Sequence, residues 1–278
     1  MTMNEQSGFG KNIPVFVSLT AIHERLYGLE HVLTSLLRQS VPPDKIILNI
    51  SDQPFLLDKG IKKSDLPLSV QKMQASGQIE IHFVENTGPY RKILPTLERY
   101  AGAEFLVATV DDDVVYPPDW LKGLVDAIQK YKCVAAYRCR LMNMQGGEIL
   151  PYNTWPLINE QFVGLVGDRL DLSAPSFAFF PTGRDGVIYH SSFFPDMTML
   201  RELSRLAPFQ DDIALKFATL NQQIPVSVCH PQQAWVSEHH VFSTVAGEDG
   251  GLWAINQGGE NDLALKRVLQ YVSDYTPA

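Results

Sequence analysis

The chain has 278 residues, of which 45% are hydrophobic and 19% charged, an ordinary globular composition able to bury one large core or two small ones. Its formal net charge of -8 and pI near 5.3 argue against a surface that neutralises polyphosphate. Neither nucleic acid nor an acidic membrane is therefore an expected partner, and an anionic ligand needs a local cation. Cys133, Cys139 and Cys229 have neither metal spacing nor an even count, which fits buried thiols in a reducing, cytoplasmic compartment.

Residues 1–12 are polar, lack an apolar export segment and are expected to be flexible. No later run approaches the roughly 18 apolar residues of a membrane span, so no integral membrane segment is expected. The run IPVFVSLT (13–20) reads as a strand buried on both faces. Leu29, Val32, Leu33, Leu36 and Leu37 then recur at helical spacing and stop before Val41-Pro42-Pro43, after which KIILNIS (45–51) is a second strand. This is a parallel strand, helix, strand unit. QIEIHFV (78–84) alternates as a third strand and ends in the turn NTGPY. Residues 90–101 read as a helix, with Pro95 at a kink or in its first turn. FLVATV (105–110) is a fourth, buried strand, and Pro117-Pro118 open a helix whose core stripe is Leu121, Leu124, Val125 and Ile128.

Beyond this the pattern loosens. CVAAYRC (133–139), DGVIYHSSFF (185–194) and PVSVC (225–229) read as strands. DDIALKFATLNQQ (211–223) reads as a helix with acidic residues at its start, where the dipole favours them. A glycine-rich tract spans Gly247 to Gly259, and Leu265, Val268, Leu269 and Val272 mark a last helix. The expected class is α/β, a Rossmann-like mixed sheet flanked by helices. The expected organisation is one domain over 13–278, with a nucleotide-binding half (13–130) and an acceptor-side half (131–278) that carries a C-terminal lid and helix.

The chemistry concentrates in TVDDDVVYPPDW (109–120), three adjacent carboxylates between a buried strand's C-terminal end and a helix. That rim is where ligands bind in open parallel α/β sheets. Asp111 and Asp113 can present carboxylates to one side while Asp112 points elsewhere. Such a sparse pair of hard oxygen ligands suits Mn²⁺ or Mg²⁺, which complete their shell with water and phosphate oxygens. A divalent ion would also let an acidic protein hold a diphosphate and stabilise its departure. An acidic helix-capping loop is the plainer account. A phosphatase with Asp111 as a phosphorylated nucleophile is a second, although that motif ordinarily opens its domain. A non-catalytic nucleotide- or sugar-binding protein is a third.

The strand ending in VDDDVVYPPDW, preceded by VSLTAIHERLYGLEHVLTSLLRQSVPPDKIILNIS, resembles the nucleotide-sugar half of GT-A glycosyltransferases. Within these it is similar to bacterial capsule-type transferases of the heparosan α-N-acetylglucosaminyltransferase kind, and DDIALKF (211–217) resembles a segment of the exostosin family. The resemblance implies transfer of a sugar, with N-acetylhexosamine favoured, from a UDP-sugar to a carbohydrate acceptor in surface polysaccharide or oligosaccharide synthesis. It implies Asp113 as direct metal ligand, Asp111 toward the ribose or the metal's waters, and Asp112 beside them. Thr20, Arg25, Asn49, Asn86, Gly88 and Lys92 would surround the nucleotide, with Asn49 facing the uracil. Gly183 and Gly186 in TGRDGVIYH would shape the donor-sugar pocket, although Asp185 stands where relatives carry glycine. Asp212, with Asp211 as alternate, would be a general base toward the acceptor or, in a retaining enzyme, a support for the oxocarbenium-like state. His240, or its neighbour His239, would add a late metal ligand, and Trp253 would belong to the lid.

Overall fold

The computed structural model describes residues 13–55, 58–158, 171–229 and 259–275. In chain order the elements are β1 (Val15–Leu19), α1 (Leu29–Leu37), β2 (Lys45–Ile50), α2 (Leu68–Ala75), β3 (Glu80–Phe83), α3 (Leu94–Arg99), β4 (Leu106–Val110) and α4 (Trp120–Tyr131). They continue with β5 (Val134–Ala136), β6 (Cys139–Leu141), β7 (Met144–Gln145), β8 (Glu148–Ile149), β9 (Phe179–Pro181) and β10 (Val187–His190). The last described elements are α5 (Met197–Leu206), α6 (Asp211–Asn221), β11 (Val226–Val228) and α7 (Glu260–Asp274).

Seven strands form one mixed sheet in the order β11-β5-β10-β4-β1-β2-β3, parallel throughout except for β10, which runs against β4 and β5. The α/β class and the mixed, helix-flanked sheet expected from the sequence are therefore present. All five residues of β1 and of β4 are buried, as their unbroken apolar character requires of strands covered on both faces. Leu29, Val32, Leu33 and Leu36 of α1 are buried, as are Leu121, Leu124 and Ile128 of α4. Each helix thus lays its apolar stripe on the sheet.

Some elements differ from the sequence expectation. The segment 133–139 divides at Tyr137 and Arg138: β5 joins the main sheet, whereas β6 pairs with β9 in a separate two-stranded ribbon. Segment 90–101 is a 3-10 turn (Gly88–Lys92) followed by the short α3, which has Pro95 in its first turn. Two helices lie where none was read. α2 buries only Val70, so its sequence carries little periodicity. α5 buries Met199, Leu200 and Leu203 and is capped by Asp196, whose carboxylate accepts from Met199 N at 2.9 Å.

A lysine lies inside this scaffold. Lys216 of α6 is fully buried and its Nζ donates to the Phe177 carbonyl at 2.9 Å. Burial pushes its ammonium down to about 8, against the pull of Cys139 and Cys133. Between that value and the ordinary 10.5 the unfolded chain holds a proton that the native state lacks, so this group makes stability rise with pH. Relative to Lys216→Met, the wild type should gain up to about 3 kcal/mol as pH rises from 8 to 10. Denaturant melts at pH 7, 8, 9 and 10 measure this, and parallel stability curves for the two proteins would contradict it.

Candidate functional site

The sheet register gathers the candidate residues at one edge. Leu19 lies opposite Val110, so Thr20 and Asp111 leave the sheet side by side. Val187 lies opposite both Thr109 and Ala136, which places the 3-10 turn Gly183–Asp185 on the same rim. From β1 the chain crosses to β2 on one side, and from β4 it crosses through α4 toward β5 on the other. The pair β1/β4 is thus a topological switch point, where the two crossovers part and leave a crevice beyond the strand ends. Asp211 and Asp212, in the first turn of α6, face this crevice through the contacts given below.

The three aspartates have three different environments. Asp112 is 5% exposed; its Oδ2 accepts from Ile22 N at 3.1 Å and its Oδ1 from Arg25 Nη1 at 2.8 Å. It fastens the loop after β1 to the end of β4, and both its oxygens are engaged in doing so. Asp113 Oδ2 lies 3.0 Å from the same Arg25 nitrogen. Burial, then Asp111 and Asp112, push the Asp113 carboxyl up to about 6 against the pull of Arg25. Burial would lower the Arg25 guanidinium, but Asp112 and Asp113 outweigh it and hold it above its ordinary value. Asp111 is tied on the other side: its Oδ1 is 3.2 Å from Lys92 Nζ, and its backbone N–H donates to Tyr116 Oη at 3.0 Å. Burial would raise the Asp111 carboxyl, but Lys92 holds it below the usual carboxylate range.

Lys92 joins the two acidic pairs. Its Nζ reaches Asp211 Oδ2 at 2.9 Å as well as Asp111, and Lys92 is only 6% exposed. Burial alone would lower this ammonium; Asp111, Asp211 and Asp212 together hold it well above its ordinary value. Asp212 Oδ1 accepts from Gly183 N at 2.9 Å. Burial, with Asp211 next, raises the Asp212 carboxyl to about 8. A Cβ on Gly183 would stand 2.9 Å from Lys92 Nζ and 3.1 Å from Asp212 Oδ1, so a larger residue here would displace the lysine and carboxylate ends.

Other expected residues take different places. Asn49 is fully buried and its amide donates to Ser18 Oγ at 3.3 Å and Thr96 Oγ1 at 3.1 Å. It ties β1, β2 and α3 together inside the fold, where it is wholly enclosed. Asn86 bridges loops, donating to the Gln53 carbonyl at 2.6 Å and accepting from Gly88 N at 3.1 Å. Gly88 is buried against the Phe55 ring. Thr20 Oγ1 is buried at the rim with no hydrogen-bond partner among the described residues. His239, His240 and Trp253 lie outside the described residues.

Arg91 and Asp58 form a buried pair that no sequence motif marks. Arg91 is 2% exposed; Nη2 lies 2.8 Å from Asp58 Oδ2 and 3.4 Å from the Ala21 carbonyl, and Nε donates to the Gly88 carbonyl at 3.2 Å. Burial lowers its guanidinium, with Asp58 opposing. The pair locks the loops beneath the crevice. Asp58 sits in FLLDKG, where no period or motif marks it, so its pairing was not readable.

The donor set fits a hard cation that keeps part of its coordination sphere open. Two carboxylates one residue apart, with Asp113 crowded by its own neighbours, are groups that a divalent ion would relieve. Among the described residues no group of three or more His, Cys, Asp or Glu forms a closed metal site. Mn²⁺ or Mg²⁺ held by Asp113 and Asp111 would leave positions for water and phosphate.

No protein-family model matches the chain, and no curated protein matches it. Among solved structures, it is similar to glucosyl-3-phosphoglycerate synthase from Mycobacterium tuberculosis in complex with Mn²⁺, UDP and glucosyl-3-phosphoglycerate, at 15% identity over 66% of this chain and 58% of that one, TM-score 0.38. It is also similar to S. aureus TarS, residues 1–349, in complex with UDP, at 15% identity over 94% of this chain and 72% of that one, TM-score 0.44. A third is 4-diphosphocytidyl-2C-methyl-D-erythritol synthase, at 9% identity over 82% of this chain and 98% of that one, TM-score 0.45. All three TM-scores lie below 0.5.

The placement of Asn49 has a measurable consequence. Asn49→Ala should cost about 1–3 kcal/mol of stability by orphaning its partners, and leave UDP affinity in the presence of Mn²⁺ unchanged. Thermal melts and calorimetric titration separate the two effects; a normal melt with weakened UDP binding would restore Asn49 to the base pocket.

Proposed function

We propose that this chain is a metal-dependent glycosyltransferase of GT-A type that takes a sugar from a UDP-sugar and passes it to a carbohydrate acceptor. One observation carries the reading. At a switch-point crevice, the carboxylate pair of Asp111 and Asp113 faces a second pair, Asp211 and Asp212, with Lys92 Nζ 3.2 Å from the first and 2.9 Å from the second. One pair is suited to an ion that carries a diphosphate and the other to the hydroxyl that attacks. Residues 13–130 then supply the nucleotide half and 131–278 the acceptor half of one domain. The resemblance to capsule-type transferases supports N-acetylhexosamine as the sugar and surface polysaccharide or oligosaccharide as the product.

A divalent ion held by Asp113 and Asp111 would supply charge neutralisation to the departing diphosphate. Lys92 is poised to exchange its carboxylate partners for a phosphate oxygen, and Arg25 holds Asp113 in place until the ion binds. Gly183 N fixes Asp212 Oδ1 and so orients the carboxylate. In the transfer the acceptor oxygen bonds the anomeric carbon as the bond from that carbon to the phosphate oxygen breaks. The electron pair leaves with UDP, and the acceptor's proton passes to Asp212. A pKa lifted to about 8 makes the ionised form of Asp212 a stronger base than an ordinary carboxylate, and that form predominates only above this pH.

Asp113→Ala should abolish the Mn²⁺-dependent stabilisation of the fold by UDP and leave the metal-free melting temperature unchanged or raised, since the substitution relieves crowding. In the wild type, native Asp113 keeps a proton up to about pH 6, so metal binding must expel it below that value. Mn²⁺ affinity should accordingly fall about tenfold per pH unit below 6 and flatten above it, as titrations from pH 5 to 8 would reveal. Asp212→Asn should keep Mn²⁺ and UDP binding while losing at least about 100-fold in transfer rate and in slow UDP-sugar hydrolysis. If hydrolysis of a phosphomonoester survives in Asp212→Asn but vanishes in Asp111→Asn, and UDP has no effect, the Asp111-nucleophile phosphatase is the correct account.

A further inference from the structure

The run Tyr116–Trp120, just after the acidic triplet, has no part in the proposed transfer chemistry, yet two of its side chains end on the turn that meets Asp212. Tyr116 is 2% exposed; its Oη accepts from Asp111 N at 3.0 Å and donates to the Arg184 carbonyl at 3.1 Å. Trp120 Nε1 donates to the next carbonyl, that of Asp185, at 2.8 Å, and the Tyr116 and Trp120 ring centroids are 4.5 Å apart. Gly186 follows at φ +94, with the Trp120 ring 2.4 Å from where a Cβ would be, so the turn closes on the indole only as glycine. The brace is itself held. Tyr116 N donates to Ser35 Oγ at 3.0 Å, and Gln39 donates to the Pro117 carbonyl at 2.7 Å and accepts from Leu121 N at 2.9 Å.

The ladder of β4 and β10 ends at Thr109 opposite Val187, and beyond it the Tyr116 hydroxyl spans the two chains. Two bridges therefore join the acidic pairs. Lys92 is the charged one, 3.2 Å from Asp111 and 2.9 Å from Asp211. The other is neutral and runs from Asp111 N through Tyr116 Oη to the Arg184 carbonyl, then from the neighbouring Gly183 N to Asp212 Oδ1 at 2.9 Å. Lys92 is the cation that a diphosphate would engage, so the charged bridge weakens when the site fills. A buried hydroxyl whose proton and lone pair are both in use has nothing to exchange with a ligand. The neutral bridge is the one that persists.

Resting on the glycosyltransferase reading, we propose that Tyr116 is a positioning residue for transfer, whose hydroxyl fixes the turn that orients Asp212 against the strand end that carries Asp111. Tyr116 touches neither sugar nor metal. Asp111 is anchored from the sheet by β4, so the bond to Arg184 constrains the turn, and through Gly183 N the direction of the Asp212 carboxylate. Displacing a reacting group by a fraction of its bond length to substrate costs a large factor in rate without weakening substrate binding. Trp120 holds the neighbouring carbonyl, so loss of the Tyr116 hydroxyl loosens the turn at one point and leaves it folded.

Tyr116→Phe removes the hydroxyl and keeps the ring against Trp120. The assay is Mn²⁺-dependent hydrolysis of UDP-glucose or UDP-N-acetylglucosamine, whichever the wild type turns over faster, in which water takes the acceptor's place. Tyr116→Phe should bind UDP in calorimetry, and show a KM for the donor, within about twofold of the wild type, while kcat falls about 10- to 100-fold. A double-mutant cycle with Asp212→Asn then decides whether the loss runs through that carboxylate. Added to Asp212→Asn, Tyr116→Phe should lower kcat by less than about twofold, because the group it orients is gone. Losses that multiply in the cycle overturn the proposal, as does a fall in UDP affinity equal to the fall in kcat, which marks a structural role only. An unchanged kcat, or a Tyr116→Phe protein that does not fold, overturns it as well. If the wild type hydrolyses neither donor and shows no Mn²⁺-dependent UDP binding, it is the glycosyltransferase reading that fails.

Discussion

The site is organised around one ammonium group. Lys92 Nζ stands between Asp111 and Asp211, in a crevice that also holds Asp212, Asp112 and Asp113, and it is nearly enclosed there. Burying a cation is costly unless it is paired, and burying carboxylates this close together is costly unless something neutral or positive separates them. Each side therefore makes the other tolerable. The consequence is a charge arrangement in which Asp111 and Asp211 share Lys92 while Asp112 and Asp113 share Arg25.

The scaffold makes that arrangement possible through strand ends. Four parallel strands in the order β3-β2-β1-β4 leave a crevice where their crossovers diverge, and the register sets Thr20 and Asp111 next to one another at its floor. The antiparallel β10 then enters from the opposite direction, so its leading turn, and not its trailing one, arrives at the same rim. One reversed strand thereby brings Gly183 and Asp185 to a site otherwise built from the C-terminal ends of parallel strands.

Rigidity in this crevice comes from side chains that carry no catalytic duty. Asp112 pins the loop after β1, Arg91 and Asp58 pin the loops below it, and Tyr116 links Asp111 to the Gly183–Asp185 turn. Trp120 fills the space next to Gly186 and holds the turn's carbonyl. Preorganised groups of this sort keep reacting carboxylates in place without reorganisation when charge shifts.

Local order fixed much of the fold in advance. Unbroken β-branched runs suit strands covered on both faces, and helical stripes such as Leu29, Val32, Leu33 and Leu36 need an apolar surface to cover them, so most of the first half, α2 excepted, was legible by periodicity. The acidic triplet stood out because three like charges beside a core strand need cationic partners, which Arg25 and Lys92 supply. What periodicity does not encode is which distant groups meet. The separation of Asp112 from its neighbours, the withdrawal of Asn49 into the interior and the pairing of Arg91 with Asp58 all depend on sheet register and loop contacts between residues tens of positions apart. A residue's type sets what it is able to bond; only the tertiary arrangement decides which of those bonds are already made and which are left for a ligand.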